Sequence, residues 1–499
     1  MDQRARPAPT RQDTWWTRPC GAREVLQIAL PMMISTGFWS VQWFVDRMFL
    51  MWYSSDAMSA SLPAGMFHWT MICFAGGIAS YVNTFVAQYY GAGRRERIGL
   101  AVAQGVRFGW LMTPLFLLSI PLAPLLLRKS GATAEISELS IQYFQILAFG
   151  AGATVLSNAM SSFYTGRGLT RVVMVVQGLS TVVNLGLDYV LIFGKFGIPE
   201  MGMAGAAWAT VASQWFSVAA FWLLMRWAEN RDEYGLDSGN RFDGELFRRL
   251  LRFGAPGGLP MLIEAAAFSL LTLFVSQISK VAAASTSLAF NVNAIAFIPV
   301  FGISIAVSTL VGQKLGEGRD DLAARATWTS LLLALVYTGF FGVLYFAVPD
   351  LFLLAHGRFA DPAEFAAVRE TTVVLLRFVA AYCLFDAVQI VFVGALKGAG
   401  DTRFILLATS VISAVCVAVG RCGQVWLEWG LYGWWWVLTA WLSALSLVYL
   451  ARFLGGKWRS MRVIEAEYLA KEPAADNAGD DSSATVGEAT DGALQSSSS

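Results

Sequence analysis

Twelve apolar runs, each about 18 residues or longer, fill most of this sequence, and alternate turns between them are rich in Arg and Lys. A helix of that length rises 1.5 Å per residue, so it crosses the ~30 Å hydrocarbon layer of a bilayer with its backbone polar groups satisfied internally. The runs fall at 25–51, 62–88, 99–127, 140–163, 171–194 and 202–227, then at 254–279, 286–312, 326–348, 372–396, 403–427 and 431–454. With 56% hydrophobic residues against 14% charged ones, and a mean hydropathy of +0.53, the 499-residue chain has too little polar surface for a soluble globule. It is expected to be an all-α polytopic membrane protein.

Charge sets the orientation. Arg94, Arg95 and Arg97 follow the second run, Arg167 and Arg171 the fourth, and Arg226, Arg231, Arg241, Arg248, Arg249 and Arg252 surround the break after the sixth. Lys314, Arg319 and Arg325 follow the eighth run, and Lys397 and Arg403 the tenth, while the opposite turns offer little beyond Arg128, Lys129, Lys195, Lys280 and Arg358. Basic loops stay cytoplasmic, so both termini are expected inside, in a multi-pass protein of the plasma membrane, the inner membrane of a bacterium. The expected organisation is a cytoplasmic leader (1–24), a first lobe of six helices (25–228), an inter-lobe linker (229–250), a second lobe of six helices (251–455) and a disordered acidic cytoplasmic tail (456–499). Five cysteines show no metal or redox spacing.

The halves repeat each other. "AQYYGAGRRE" (87–96) and "GQKLGEGRDD" (312–321) place Gln, Gly, Gly and Arg in the same order at an offset of 225 residues, and at that offset Pro31 lies over Pro256. "GRGLTR" (166–171) answers "GAGDTR" (398–403). Because each unit has six spans, the copies share one orientation and are related by an axis along the membrane normal, giving two parallel-repeat six-helix bundles around a central cleft. The Gly/Arg turns read as helix ends with a positive-inside anchor rather than as a substrate contact.

Four carboxylates lie deep in apolar runs: Asp46, Asp188, Glu264 and Asp386. A charge at the bilayer centre costs about 2.5–3.5 kcal/mol on the insertion scale, so such residues face a bundle interior or a watered cavity. Helical spacing surrounds them with neutral oxygens. Tyr382, Asp386 and Gln389 share one face, as do Asn184 and Asp188, and Gln42 lies one turn from Asp46. Such sets suit a proton or a hard cation such as Na+. His68 and His356 are the only histidines, and His68 reads as a packing or interfacial residue; no Ser/His/Asp arrangement, two-histidine metal site or P-loop is visible, which argues against an enzyme. The clustered tryptophans of "YGWWWVLTAW" read as an interfacial belt.

These segments resemble the multidrug and toxic compound extrusion (MATE) transporters across roughly residues 23–455, in particular their bacterial cation-coupled branch. "WFVDRMF" resembles the first-helix aspartate segment, "VVNLGLDYVLIFG" the fifth-helix Asn/Asp pair, "GLPMLIEAAAF" the seventh-helix acidic segment and "YCLFDAVQIVFVGALKGAGDTR" the tenth-helix segment. The resemblance implies a monomeric secondary antiporter that exports cationic or amphipathic organic compounds in exchange for H+ or Na+, with no cofactor beyond that ion and no nucleic-acid partner. It implies ion coupling at Asp46, Asn184, Asp188, Glu264, Tyr382 and Asp386, with Glu264, Tyr382 and Asp386 as the candidate Na+ set. Gln42, Trp39, Trp43, Phe44, Phe268, Phe290, Phe297 and Gln389 are candidate substrate contacts, because aromatic faces accept flat cations. The alternative is a flippase of lipid-linked precursors on a related architecture. A diphosphate headgroup requires bases in the cleft, whereas this sequence places acids in its spans and most of its bases in loops.

Overall fold

The computed structural model describes residues 14–128, 133–227, 231–236, 242–357, 362–465 and 467. Lys129, Arg241, Arg358 and the tail beyond 467 lie outside the described residues. The first half comprises α1 (Ala22–Tyr53), α2 (Ser55–Ser80), α3 (Val82–Gly91), α4 (Ile98–Leu117), a short α5 (Ala123–Leu127), α6 (Ala134–Thr165), α7 (Thr170–Phe193) and α8 (Gly202–Arg226). The second comprises α9 (Gly244–Ser276), α10 (Lys280–Gly316), α11 (Asp320–Ala347), a short α12 (Pro349–Gly357), α13 (Pro362–Ala399), α14 (Thr402–Trp426) and α15 (Leu431–Leu454). Among the described residues, twelve helical stretches are long and apolar enough to cross a membrane, α2 and α3 forming one of them.

Local chemistry sets the helix ends. Ser54, Thr133, Asp243 and Ser279 turn side-chain oxygens onto first-turn N–H groups of α2, α6, α9 and α10. Gly93, Gly168, Gly318 and Gly400 all take positive φ, from +71° to +103°, where a Cβ is strained. They are the repeated glycines of the two motif pairs. The helices of each half pack chiefly on one another, and the halves meet where α1 lies on α10, α2 on α9 and α3 on α10.

That junction is pseudo-twofold down to single atoms. Gln88 Nε2 donates to the Gly398 carbonyl (2.9 Å), and its counterpart Gln313 Nε2 donates to the Gly166 carbonyl (2.8 Å). A Cβ on Gly91 would stand 1.9 Å from Gln313 O, and one on Gly316 2.2 Å from Gln88 O. Deeper in the bundle Gly77 abuts Gly258 while Gly302 abuts Met33, again at the 225-residue offset. The Gly/Gln turns therefore dock the lobes as well as ending helices, because only glycine lets the two backbones approach this closely.

These contacts join the two halves at the end of the bundle that carries both described chain ends. Asn83 donates to Thr309 Oγ1 (3.0 Å) and Tyr81 OH to the Lys397 carbonyl (3.0 Å) at the same junction. Just before α1, Cys20 is buried, and burial with the nearby Glu24 charge pushes its thiol up to about 12. All five cysteines are free, and Cys422 is the exposed one.

Two expectations are corrected. The tail expected to be disordered from 456 is packed through 465: a 3-10 turn at Lys457–Ser460 seats Trp458, and Val463 and Ile464 are buried between first-half helices and the start of α9. Val463 N donates to Gln88 Oε1 (2.8 Å), its carbonyl accepts from Arg249, and Glu465 accepts from Tyr89 OH (2.6 Å). Three apolar anchors are enough to hold this strap, although the average composition of 456–499 hides them. The tryptophan belt is the second. Trp434 and Trp435 are fully buried against the second-half helices and only Trp436 of the three is exposed, at 65%.

Candidate functional site

Two polar clusters stand inside the halves, one in each. In the first, α1 supplies Asp46 and α7 supplies Asp188, each with an amide one turn before it, Gln42 and Asn184. Asp46, Asn184 and Asp188 are buried, whereas Arg47 is exposed, so adjacent residues on α1 take different faces and Asp46 looks toward α7. With the Asn184 amide assigned by its neighbours, Nδ2 donates to Asp46 Oδ1 (3.0 Å) and Asp188 Oδ2 (3.2 Å) and lies 3.2 Å from the Gln42 amide. Asp188 Oδ1 is sealed with no N–H or hydroxyl directed at it, and the Asp46 and Asp188 carboxyls lie side by side around the one Asn184 amide. Two carboxyl groups so placed satisfy each other only when a proton sits between them. Tyr143 of α6, unremarked in the sequence, is buried beside both acids.

The second cluster joins α9 to α13. Gln389 Nε2 donates to Glu264 Oε1 (3.3 Å), and Gln389 Oε1 is buried without a partner. Asp386, one turn before Gln389, is buried within electrostatic reach of Glu264, and Tyr382 is buried one turn further back. An aromatic wall begins one turn along α9 from Glu264. Phe268 lies against Phe290 (ring centroids 4.5 Å apart), Phe290 stacks on Trp435 (5.2 Å), and Trp435 reaches Tyr382 (6.4 Å). The cluster thus offers two carboxyls and an unengaged amide oxygen, donors suited to a hard cation, beside the accessible rings of Phe268 and Phe290, which suit an organic one.

The structure does not gather every candidate. Trp39 and Trp43 pack edge-on against Trp69 of α2 (6.1 and 5.7 Å), apart from the second-half wall. Phe44 is 69% exposed, and Phe297 pairs with Phe301 of its own helix (4.9 Å). His68 is buried edge-on to Phe144 with neither ring nitrogen hydrogen-bonded. Trp435 was masked by its neighbours in the tryptophan run. Lys397 also escaped notice as a site residue: placed by its sequence in a basic turn, it acts electrostatically on Glu264 from within α13.

A family model described as MatE matches residues 31–190 and 256–420, one copy in each half. A curated relative, "Probable multidrug resistance protein NorM" of Thermotoga maritima, is 28% identical over 457 residues, covering 89% of this chain and 95% of its own. The protein of the same name from Shewanella oneidensis is 27% identical over 440 residues, covering 86% and 94%. Among solved structures, one described as the outward-facing conformation of a multidrug resistance MATE family transporter of the MOP superfamily superposes with a TM-score of 0.80 at 17% identity, covering 88% of this chain and 97% of that one. That likeness is one of fold.

Proposed function

This chain belongs to the MatE family, and from that premise we propose that it is an antiporter exchanging H+ or Na+ for cationic or amphipathic organic compounds. It is a multi-pass membrane transporter of the multidrug efflux kind and not an enzyme. The observation that carries the exchange reading is the placement of Glu264 and Asp386 one turn from Phe268 and Tyr382. An inorganic cation at the acids and an organic cation on the wall would draw on the same negative charge, so occupancy by one disfavours the other. With the junction at the Gln88 and Gln313 contacts closed, the ion enters from the opposite side, the drug leaves there, and reorientation of the lobes carries the ion inward.

The flippase alternative needs bases around a diphosphate, and the deep ionisable groups of both clusters are mainly carboxyls. The decisive experiment reconstitutes the full chain in liposomes and follows a fluorescent organic cation under separately imposed Na+ and pH gradients. Saturable, gradient-driven movement against the ion supports exchange; movement indifferent to both gradients rejects it.

Orientation is part of this reading. In a chain whose Cys422 is replaced by serine, a cysteine introduced for Arg95 should react with an impermeant thiol reagent only from the cytoplasm, and one introduced for Asp56 only from outside. Reaction of both from one face would overturn the assignment.

A further inference from the structure

A cavity of about 370 Å³ opens at the termini-bearing end, between α9, α14 and the strap. Arg252, Arg403 and Arg462 line it with Phe253, Gly400, Asp401, Ser460 and Met461. Its one carboxylate is already engaged: Asp401 accepts a fork from Arg452, with Nε at 2.7 Å and Nη2 at 3.3 Å. Turned that way, Asp401 leaves α14 without a side-chain cap, so the positive end of a 25-residue helix adds to the three guanidinium groups. Thr402 Oγ1, at the same helix start, is fully buried with no partner. Arg462 is half-buried and spends one nitrogen on the carbonyls of Arg459 and Met461 (2.7 Å each). Burial pulls its guanidinium below the usual value, with the Asp320 charge acting the other way.

One further feature distinguishes the source of an anion there. From Arg403, exposed apolar side chains of α14 continue at Leu407, Val411, Val415 and Val419, one every four positions along a ridge that winds round the helix. An apolar stripe about 24 Å long runs from the cavity mouth into the bilayer. We propose that the cavity between Arg252, Arg403 and Arg462 binds the phosphate of an anionic phospholipid, whose acyl chain lies along that stripe. A bidentate Arg–phosphate pair suits both the fork geometry and the interfacial depth. Because Ser460–Arg462 forms one wall and the next residues knot both lobes through Gln88, a bound headgroup also holds the strap against the closed junction.

The test compares full-length wild type with Arg403→Gln and with Arg403→Gln/Arg462→Gln. Each is exchanged into phosphatidylcholine vesicles with or without phosphatidylglycerol, re-extracted, and weighed by native mass spectrometry for retained lipid. On the scale of one basic side chain at an anionic surface, preference for phosphatidylglycerol should fall about fivefold in the single variant and roughly 30-fold in the double. Arg248→Gln, an exposed change on α9 outside the cavity, should leave it unchanged. Arg403→Gln leaves the strap's own contacts intact, so a folding defect in the double variant does not remove the readout. Inorganic phosphate displacing the lipid from wild type but having no effect on Arg403→Gln would support the phosphate site with a soluble source able to fill it. Equal phosphatidylglycerol retention by all four proteins, or an equal loss in Arg248→Gln, overturns the proposal.

Discussion

Asp386→Asn is expected to fold and reach the membrane normally and to lose ion-driven export by about 10- to 100-fold, the range set by losing one charge-assisted contact of roughly 1.5–3 kcal/mol. The side chain is buried on α13, one turn from Gln389 and one from Tyr382, with Glu264 across from it on α9. Asparagine keeps the shape, so packing of α13 against α10 survives. What disappears is the negative charge that a coupling cation would neutralise. Tyr382→Phe removes a phenol while keeping the ring that meets Trp435, so its loss should be milder and confined to the ion dependence, with drug affinity retained. Glu264→Gln should resemble Asp386→Asn, and the double variant should be hardly worse than either, since residues acting as one site are not additive. Reconstituted wild type and variants are compared for drug efflux under a fixed ion gradient. Full ion stimulation in Asp386→Asn would remove this aspartate from coupling.

The scaffold was legible from the sequence because its signals are local. Apolar length gives the spans, and the 225-residue repeat gives the relation of the halves, which Gly91 and Gln313 against Gly316 and Gln88 then display atom for atom. The chemistry is not repeated. At the same offset Glu264 answers Trp39, and Asp46 answers Leu271, so each half carries a different set on a shared frame.

Facing was harder to read. In a bilayer both sides of a helix can be apolar, so hydropathy does not say which residue meets lipid and which meets protein. Asp46 and Arg47 look like a neighbouring pair in the sequence, yet the 100° step between them sends one toward α7 and the other outward. Trp434, held by Phe274 of α9 and Gly420 of α14, and Trp435, held by Phe290 of α10 and Tyr382 of α13, differ from Trp436 only in what the fold brings against them, which is tertiary information. The strap was lost to averaging: Val463 and Ile464 sit next to a long polar tail that dominates any window containing them.

The Asp46–Asp188 pair yields the second large effect. The pair is short of donors, since Asn184 Nδ2 serves one oxygen of each acid and Asp188 Oδ1 has none, and one proton shared between the carboxyls would supply it. Asp188→Asn places an amide N–H where a carboxyl donates only when protonated. The pair then stays joined whatever the pH, and the thermal stability of the purified protein should become less dependent on pH while remaining near its wild-type maximum. If the shared proton takes part in the transport cycle, the pH dependence of efflux flattens in parallel and turnover falls about tenfold or more, as expected when a charge-assisted bond can no longer be made and broken. Asp46→Asn should do the same, since either partner carries the proton. The two readouts separate roles: a flattened stability profile with an unchanged efflux profile would make the pair a structural clasp between α1 and α7. Unchanged profiles in both measurements would mean that no proton is exchanged there at all, and ion coupling would then rest on Glu264 and Asp386.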